Sequence, residues 1–118
     1  AGHLYEMLRA SGCDAELDTG AIPLFDGFDE LTGQDIVSTL DAPNRRRVSG
    51  VLGTAPELDK SRVAALFDPQ TAGGLLIAIP AERAEALAKS LKTAGYGAAC
   101  VIGSGHAQGK TSTAITAI

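Results

Sequence analysis

Apolar positions recur at helical spacing from the first residues. Leu4, Met7 and Leu8 predict a helix over 1–11, which Gly12 closes in the left-handed conformation. Residues 14–18 alternate polar and apolar, which predicts a strand with one wet face and leaves Asp14, Glu16 and Asp18 as solvated acids. A turn at Ile22-Pro23-Leu24 leads into a short helix over 26–31, with Asp26 as its cap and Gly33 as its end. The pattern weakens over 34–53. There Ile36, Val37 and Leu40 read as a helical turn and 47–52 as a strand. A further helix over 56–66 has Asp59 or Ser61 near its start.

The C-terminal half is patterned more strongly. Leu75 to Ile79 is apolar without alternation, so it predicts a strand covered on both faces and ended by Pro80. Residues 81–94 carry Ala81, Ala84, Leu87, Ala88, Leu91 and Ala94 as one helical stripe closed by Gly95. Residues 98–102 form a second apolar run, with Cys100 as a small core residue. Strand, helix and strand together predict a right-handed parallel βαβ unit. A hairpin follows, with its turn over 104–110 and a closing strand over 112–118. Gly105 to Thr111 superficially resembles a phosphate loop, but Ser104 stands where the motif needs glycine and no apolar helix follows. The whole predicts an α/β (α+β) sandwich, a mixed sheet with helices packed on it.

Composition narrows the class. With 118 residues, 45% of them hydrophobic, and a mean hydropathy of +0.11, one domain over 1–118 can bury a core. A net charge of −4 argues against nucleic acid or an anionic membrane as partner. No apolar run is long enough to span a bilayer and no signal peptide is evident. Cys13 and Cys100, without a Cys-x-x-Cys, read as reduced thiols in a cytoplasmic protein, with one disulfide as the alternative. His3 and His106 have no partner at ligand spacing, and no metal set is predicted. Arg45-Arg46-Arg47, the basic run, reads as a solvated loop. The first helix lacks an N-cap and the chain begins without Met, so the expectation is a piece of something longer.

The stretch between the two halves concentrates the candidate chemistry. Asp68-Pro69 initiates a turn, Gln70 and Thr71 supply an amide and a hydroxyl, and Gly73-Gly74 form a hinge before the 75–79 run. Phe67-Asp68-Pro69-Gln70-Thr71-Ala72-Gly73-Gly74-Leu75-Leu76 closely resembles the signature of selenophosphate synthetases (selenide, water dikinases), with Ala72 in the place of the usual serine. Gly2-His3-Leu4, Glu6-Met7, Ile22-Pro23, Asn44 and Val101-Ile102-Gly103 resemble the same family.

The resemblance implies the C-terminal domain of a two-domain enzyme of the aminoimidazole ribonucleotide synthetase-like superfamily, partly ferredoxin-like in topology. Such enzymes make selenophosphate, AMP and phosphate from selenide, ATP and water with Mg²⁺. The implied partners are the protein's own N-terminal domain and a second copy in a homodimer. The family's reactive Cys or selenocysteine, its Lys and its metal-binding Asp residues lie in segments that this chain lacks, and Cys13 and Cys100 match none of them. The chain alone is therefore expected to be inactive, with no catalytic or metal-binding residue of its own. ATP and Mg would be held mainly by the other domain. Asp68, Gln70, Thr71, Gly73 and Gly74 would border a substrate or phosphate cleft, or else dock the two domains. A sister ATP-dependent enzyme of the thiamine-phosphate kinase or purine-synthesis type, and a non-catalytic binding or dimerisation module, are the alternatives.

Overall fold

The computed structural model describes residues 1–69 and 72–118. Helix α1 spans Gly2–Ser11 and ends as its pattern predicts: Gly12 takes φ 63° and its amide donates to the Leu8 carbonyl. β1 (Cys13–Leu17) follows at once. A short 3-10 turn over Thr19–Ala21 is capped by the Asp18 carboxylate, which accepts from the Ala21 amide. α2 (Phe28–Gly33) comes next. Its N-cap is Gly27 at φ 86°, with no capping side chain, so Asp26 is not the cap.

The greatest departure in this half is α3 (Asp41–Val48), a helix where 47–52 reads as a strand. The reason is electrostatic and steric. Asp41 sits in the first turn, Pro43 lies where helix amides are unpaired in any case, and the three arginines occupy the last turn. Charges of those signs at those ends favour the helix, so the basic run is a helix terminus and not a loop. Val48, 1% exposed, seals α3 against the core. The strand β2 begins only at Leu52 and runs to Thr54.

α4 (Lys60–Ala65) is capped by Asp59, whose Oδ1 accepts from the Ser61 amide and hydroxyl, both at 2.8 Å. From α4, Arg62 reaches back and donates to the carbonyls of Ile22 and Thr19. α5 (Ala81–Thr93) is the predicted helix, with Gly95 beyond it at φ 102°. Its Ala88 is buried and Ala84, Leu87 and Leu91 are half-buried, which reproduces the middle of the stripe.

β3 (Gly103–Ala107) and β4 (Ile115–Ala117) complete a four-stranded mixed sheet of order β2-β4-β1-β3 among the described residues. β3 runs antiparallel to β1, with Cys13 opposite Ala107 and Leu17 opposite Gly103. β4 runs parallel to β1 on its other side, with Ala15 opposite Ile115, and β2 pairs parallel to β4. The expected class, a mixed sheet with helices, is what forms. The expected connections differ. β3 and β4 flank β1 and do not pair with each other as a hairpin. Residues 75–79 and 98–102 lie outside the sheet, so the βαβ unit does not form. The position beside β1 is taken by 103–107, and the apolar runs stay at the surface: Leu75 is 90% exposed and Ile77 is 50%. Cys100 is exposed rather than in the core, its thiol donating to the Ala21 carbonyl.

The core is one cluster of Leu8, Ala15, Leu17, Val48, Leu66, Phe67, Ile115 and Ala117. Asp14 corrects the reading of β1 as solvated on its polar positions. It is 5% exposed, and its Oδ2 accepts from the Gly109 amide at 2.6 Å, while Glu16 and Asp18 are exposed. That bond also commits the amide of Gly109, in agreement with the exclusion of a phosphate loop there. Among the described residues no helix is long and apolar enough to cross a membrane.

Candidate functional site

The candidate loop leaves the core at an anchored point. α4 delivers Leu66 and Phe67, 5% and 7% exposed, and the chain then turns outward at Asp68. Three contacts hold the segment before the turn. The Ala1 amino nitrogen donates to the Leu66 carbonyl at 2.6 Å. Asn44 Nδ2, on the second turn of α3, donates to the Phe67 carbonyl at 2.7 Å. The Arg45 guanidinium lies over the Phe67 ring, 4.2 Å from its centroid, and its Nε donates to Asp41 Oδ2 at 2.7 Å.

Asp68 is half-buried and lines a cleft of about 300 Å³. Its opposite walls are Phe28, Leu31 and Thr32 of α2, Ile36, Val37 and Ser38 of the connection to α3, and Asp41. The cleft is thus mainly apolar, with the carboxylates of Asp41 and Asp68 and the hydroxyl residues Thr32 and Ser38 also in its lining. A second concavity, about 480 Å³, is lined by the chain between Gly20 and Glu30 and by Arg62.

Of the predicted site residues, Asp68 stands on the wall of the smaller cleft. Gln70 and Thr71 lie outside the described residues. Gly73 and Gly74 are exposed and line neither concavity. A Cβ built on Gly74 meets nothing within 4 Å and its φ is not left-handed, so its own geometry does not demand glycine. Among the described residues no group of three or more His, Cys, Asp or Glu side chains comes together to hold a metal ion. His3 and His106 are both exposed. The sequence reading missed Phe28, Leu31 and Asp41 as neighbours of Asp68. The bond from Asn44 to the Phe67 carbonyl spans 23 residues, and no local pattern announces it.

The profile of the AIR synthase related protein, C-terminal domain, family matches residues 1–115. The chain is 38% identical over 90 residues to the selenide, water dikinase of Caldanaerobacter subterraneus subsp. tengcongensis, covering 76% of this chain and 26% of that protein. It is 34% identical over 103 residues to that of Clostridioides difficile (87% and 30%), and 35% over 94 residues to that of Nitratidesulfovibrio vulgaris strain Miyazaki F (80% and 27%). The chain spans 26 to 30% of the length of these relatives.

Proposed function

The chain belongs to the AIR synthase related family as its C-terminal domain, and from that premise we propose that it is the C-terminal domain of a selenophosphate synthetase. In that reading the whole protein makes selenophosphate from selenide, ATP and water, releasing AMP and phosphate. This domain's contribution is the Asp68 loop, which borders the substrate cleft. One observation carries the assignment of the loop. Asn44 and Arg45 of α3 fix the carbonyl and ring of Phe67, so the residue next in the chain, Asp68, leaves the core from a fixed point onto a cleft wall. Positioning a polar group in this way is what catalysis by orientation requires of a supporting domain.

The described residues do not fit ATP and Mg²⁺ by themselves. No metal-holding group is present among the described residues, Arg45 is committed to Asp41 and Phe67, and the Gly109 amide is committed to Asp14. No step through nucleotide or metal is assigned to this domain. In the whole protein those groups belong to the other domain, and this chain alone is inactive. The exposed apolar runs at 75–77 and Val101 support a covering partner, because patches of that kind mark contact surfaces. The partner is the protein's own N-terminal domain, in a homodimer without nucleic acid or membrane, in the cytoplasm.

The test is selenide- and ATP-dependent AMP formation by the whole protein carrying Asp68→Asn. The expected result is a loss of about tenfold or more in turnover, which corresponds to roughly 1.4 kcal/mol of transition-state stabilisation. The far-UV circular dichroism should not change. Unaltered turnover and unaltered KM for ATP would leave the loop with a docking role only.

A further inference from the structure

We infer that Asp41 is a positioning residue for the Asp68 loop, acting through Arg45; the inference rests on the reading of that loop as part of the substrate cleft. Asp41 opens α3, and Arg45 stands one turn further on at i+4, where side chains on a helix meet. Arg45 Nε donates to Asp41 Oδ2 at 2.7 Å, and its guanidinium lies 4.2 Å from the centroid of the Phe67 ring. One side chain thus makes two contacts, and the first sets the second. The stem of arginine is long and flexible, and its head is a rigid plane. Once the carboxylate fixes Nε, that plane is held over the ring by a charge-assisted bond and not by packing alone.

Burial separates the fixed partners from the mobile one. The Asp41 side chain is 16% exposed and that of Arg45 is 42%, while Phe67 is 7% exposed and belongs to the core cluster. Asp41 and Phe67 are the ordered ends, and Arg45 spans them. The link also closes on itself. Asp41 lines the cleft of about 300 Å³, and Asp68, next in the chain after Phe67, lines it too. Arg45 therefore joins two parts of the wall of one cleft. Its charge offsets that of Asp41 where a second carboxylate stands in the same lining. Asn44 holds only the Phe67 carbonyl, so the ring is left to Asp41 and Arg45. A lysine could not do this work, because an ammonium is a compact point charge with no planar face to lie on a ring while another nitrogen pairs.

The test compares Asp41→Asn, Asp41→Glu, Arg45→Lys and the double variant Asp41→Asn with Arg45→Lys in the whole protein, beside Asp68→Asn. A cation held on a ring contributes a factor of about two to five, so Asp41→Asn and Arg45→Lys should each lower kcat for AMP formation by that much, with KM for ATP unchanged. Asp41→Glu keeps the charge at i+4 and should recover most of the loss. The double variant should lose no more than the greater single loss, because both substitutions break one contact. Hydrogen exchange gives a readout that does not depend on activity. The Phe67 amide, bonded to the Ala64 carbonyl at 3.0 Å, should exchange faster in Asp41→Asn, while α5 stays as in wild type. Loss of turnover in Asp68→Asn with unaltered exchange and kcat in Asp41→Asn overturns the inference and spares the cleft reading. Faster exchange in Asp41→Asn with normal turnover in Asp68→Asn overturns the cleft reading, and Asp41 is then a stability contact only. Additive losses in the double variant, or faster exchange in α5 as well, also overturn the inference, since Asp41 would then act on the fold as a whole.

Discussion

The bond from Asn44 to the Phe67 carbonyl makes a sharp claim about how the Asp68 loop is held. The donor lies on α3, 23 residues away from its acceptor, at 2.7 Å and partly buried. Removing it takes the Asn44 donor from the carbonyl of Phe67, a residue that is 7% exposed. An unsatisfied buried acceptor costs about 1–3 kcal/mol, and partial access to water places this one near 1–2 kcal/mol. Asn44→Ala is not the cleanest probe, because alanine regains up to about 0.7 kcal/mol of helix propensity inside α3. Asn44→Asp is better. It keeps the shape and nearly the same propensity, but replaces the donor with an acceptor facing the Phe67 oxygen. The expected loss is therefore at least as large as for Asn44→Ala. At this length about 1 kcal/mol corresponds to about 4 °C in melting temperature, so Asn44→Asp should melt about 4–8 °C lower at neutral pH. Urea unfolding followed by far-UV circular dichroism should show a lower midpoint with an unchanged slope. Its gap from wild type should narrow as pH falls below about 4, where a protonated Asp regains a donor. Equal midpoints for wild type and Asn44→Asp at neutral pH would refute the anchoring argument.

Two further outcomes follow from the backbone and the caps. A Cβ on Gly103 would fall on the Glu16 carbonyl oxygen and lie 3.1 Å from Leu17 Cα, so β3 must separate from β1 to admit one. Gly103→Ala should cost about 1–3 kcal/mol, the range for overpacking. Gly105→Ala, whose Cβ would meet Asp14 O at an ordinary 3.9 Å, should cost under about 1 kcal/mol in the same urea titration. At the start of α4, the Ser61 hydroxyl and then the Ser61 amide hold the Asp59 carboxyl below its ordinary 3.8. A carboxyl depressed on folding contributes stability above its unfolded pKa, and loses it as pH falls through the folded value. The melting-temperature difference between wild type and Asp59→Ala should therefore be full at neutral pH and shrink as pH drops below 3.8. A difference that stays constant to lower pH would mean that the cap acts through its shape and not its charge.

What the sequence makes legible here is local. α1 with Gly12 and α5 with Gly95 are written in spacings of a few residues, and they form as written; the helix expected over 56–66 forms only over Lys60–Ala65, with Asp59, one of two residues expected near its start, as its cap. The errors fall where a decision depends on distant chain. Apolar runs such as 75–79 report that a segment tends to be covered, and they do not report which strand it joins. β3, by contrast, is Gly-Ser-Gly-His-Ala, with no strand propensity to detect. It pairs because Gly103 allows backbone contact with β1, and because Asp14 fixes the Gly109 amide just beyond it from 95 residues away. The candidate site divides in the same way. Asp68 stands out as a motif residue, yet Asn44, Arg45, Phe28 and Leu31, which give it a fixed exit from the core and a cleft to face, lie 20 to 40 residues upstream. A substitution on α3 or α2 should thus alter the loop without touching its signature, and the cost of Asn44→Asp measures how strongly.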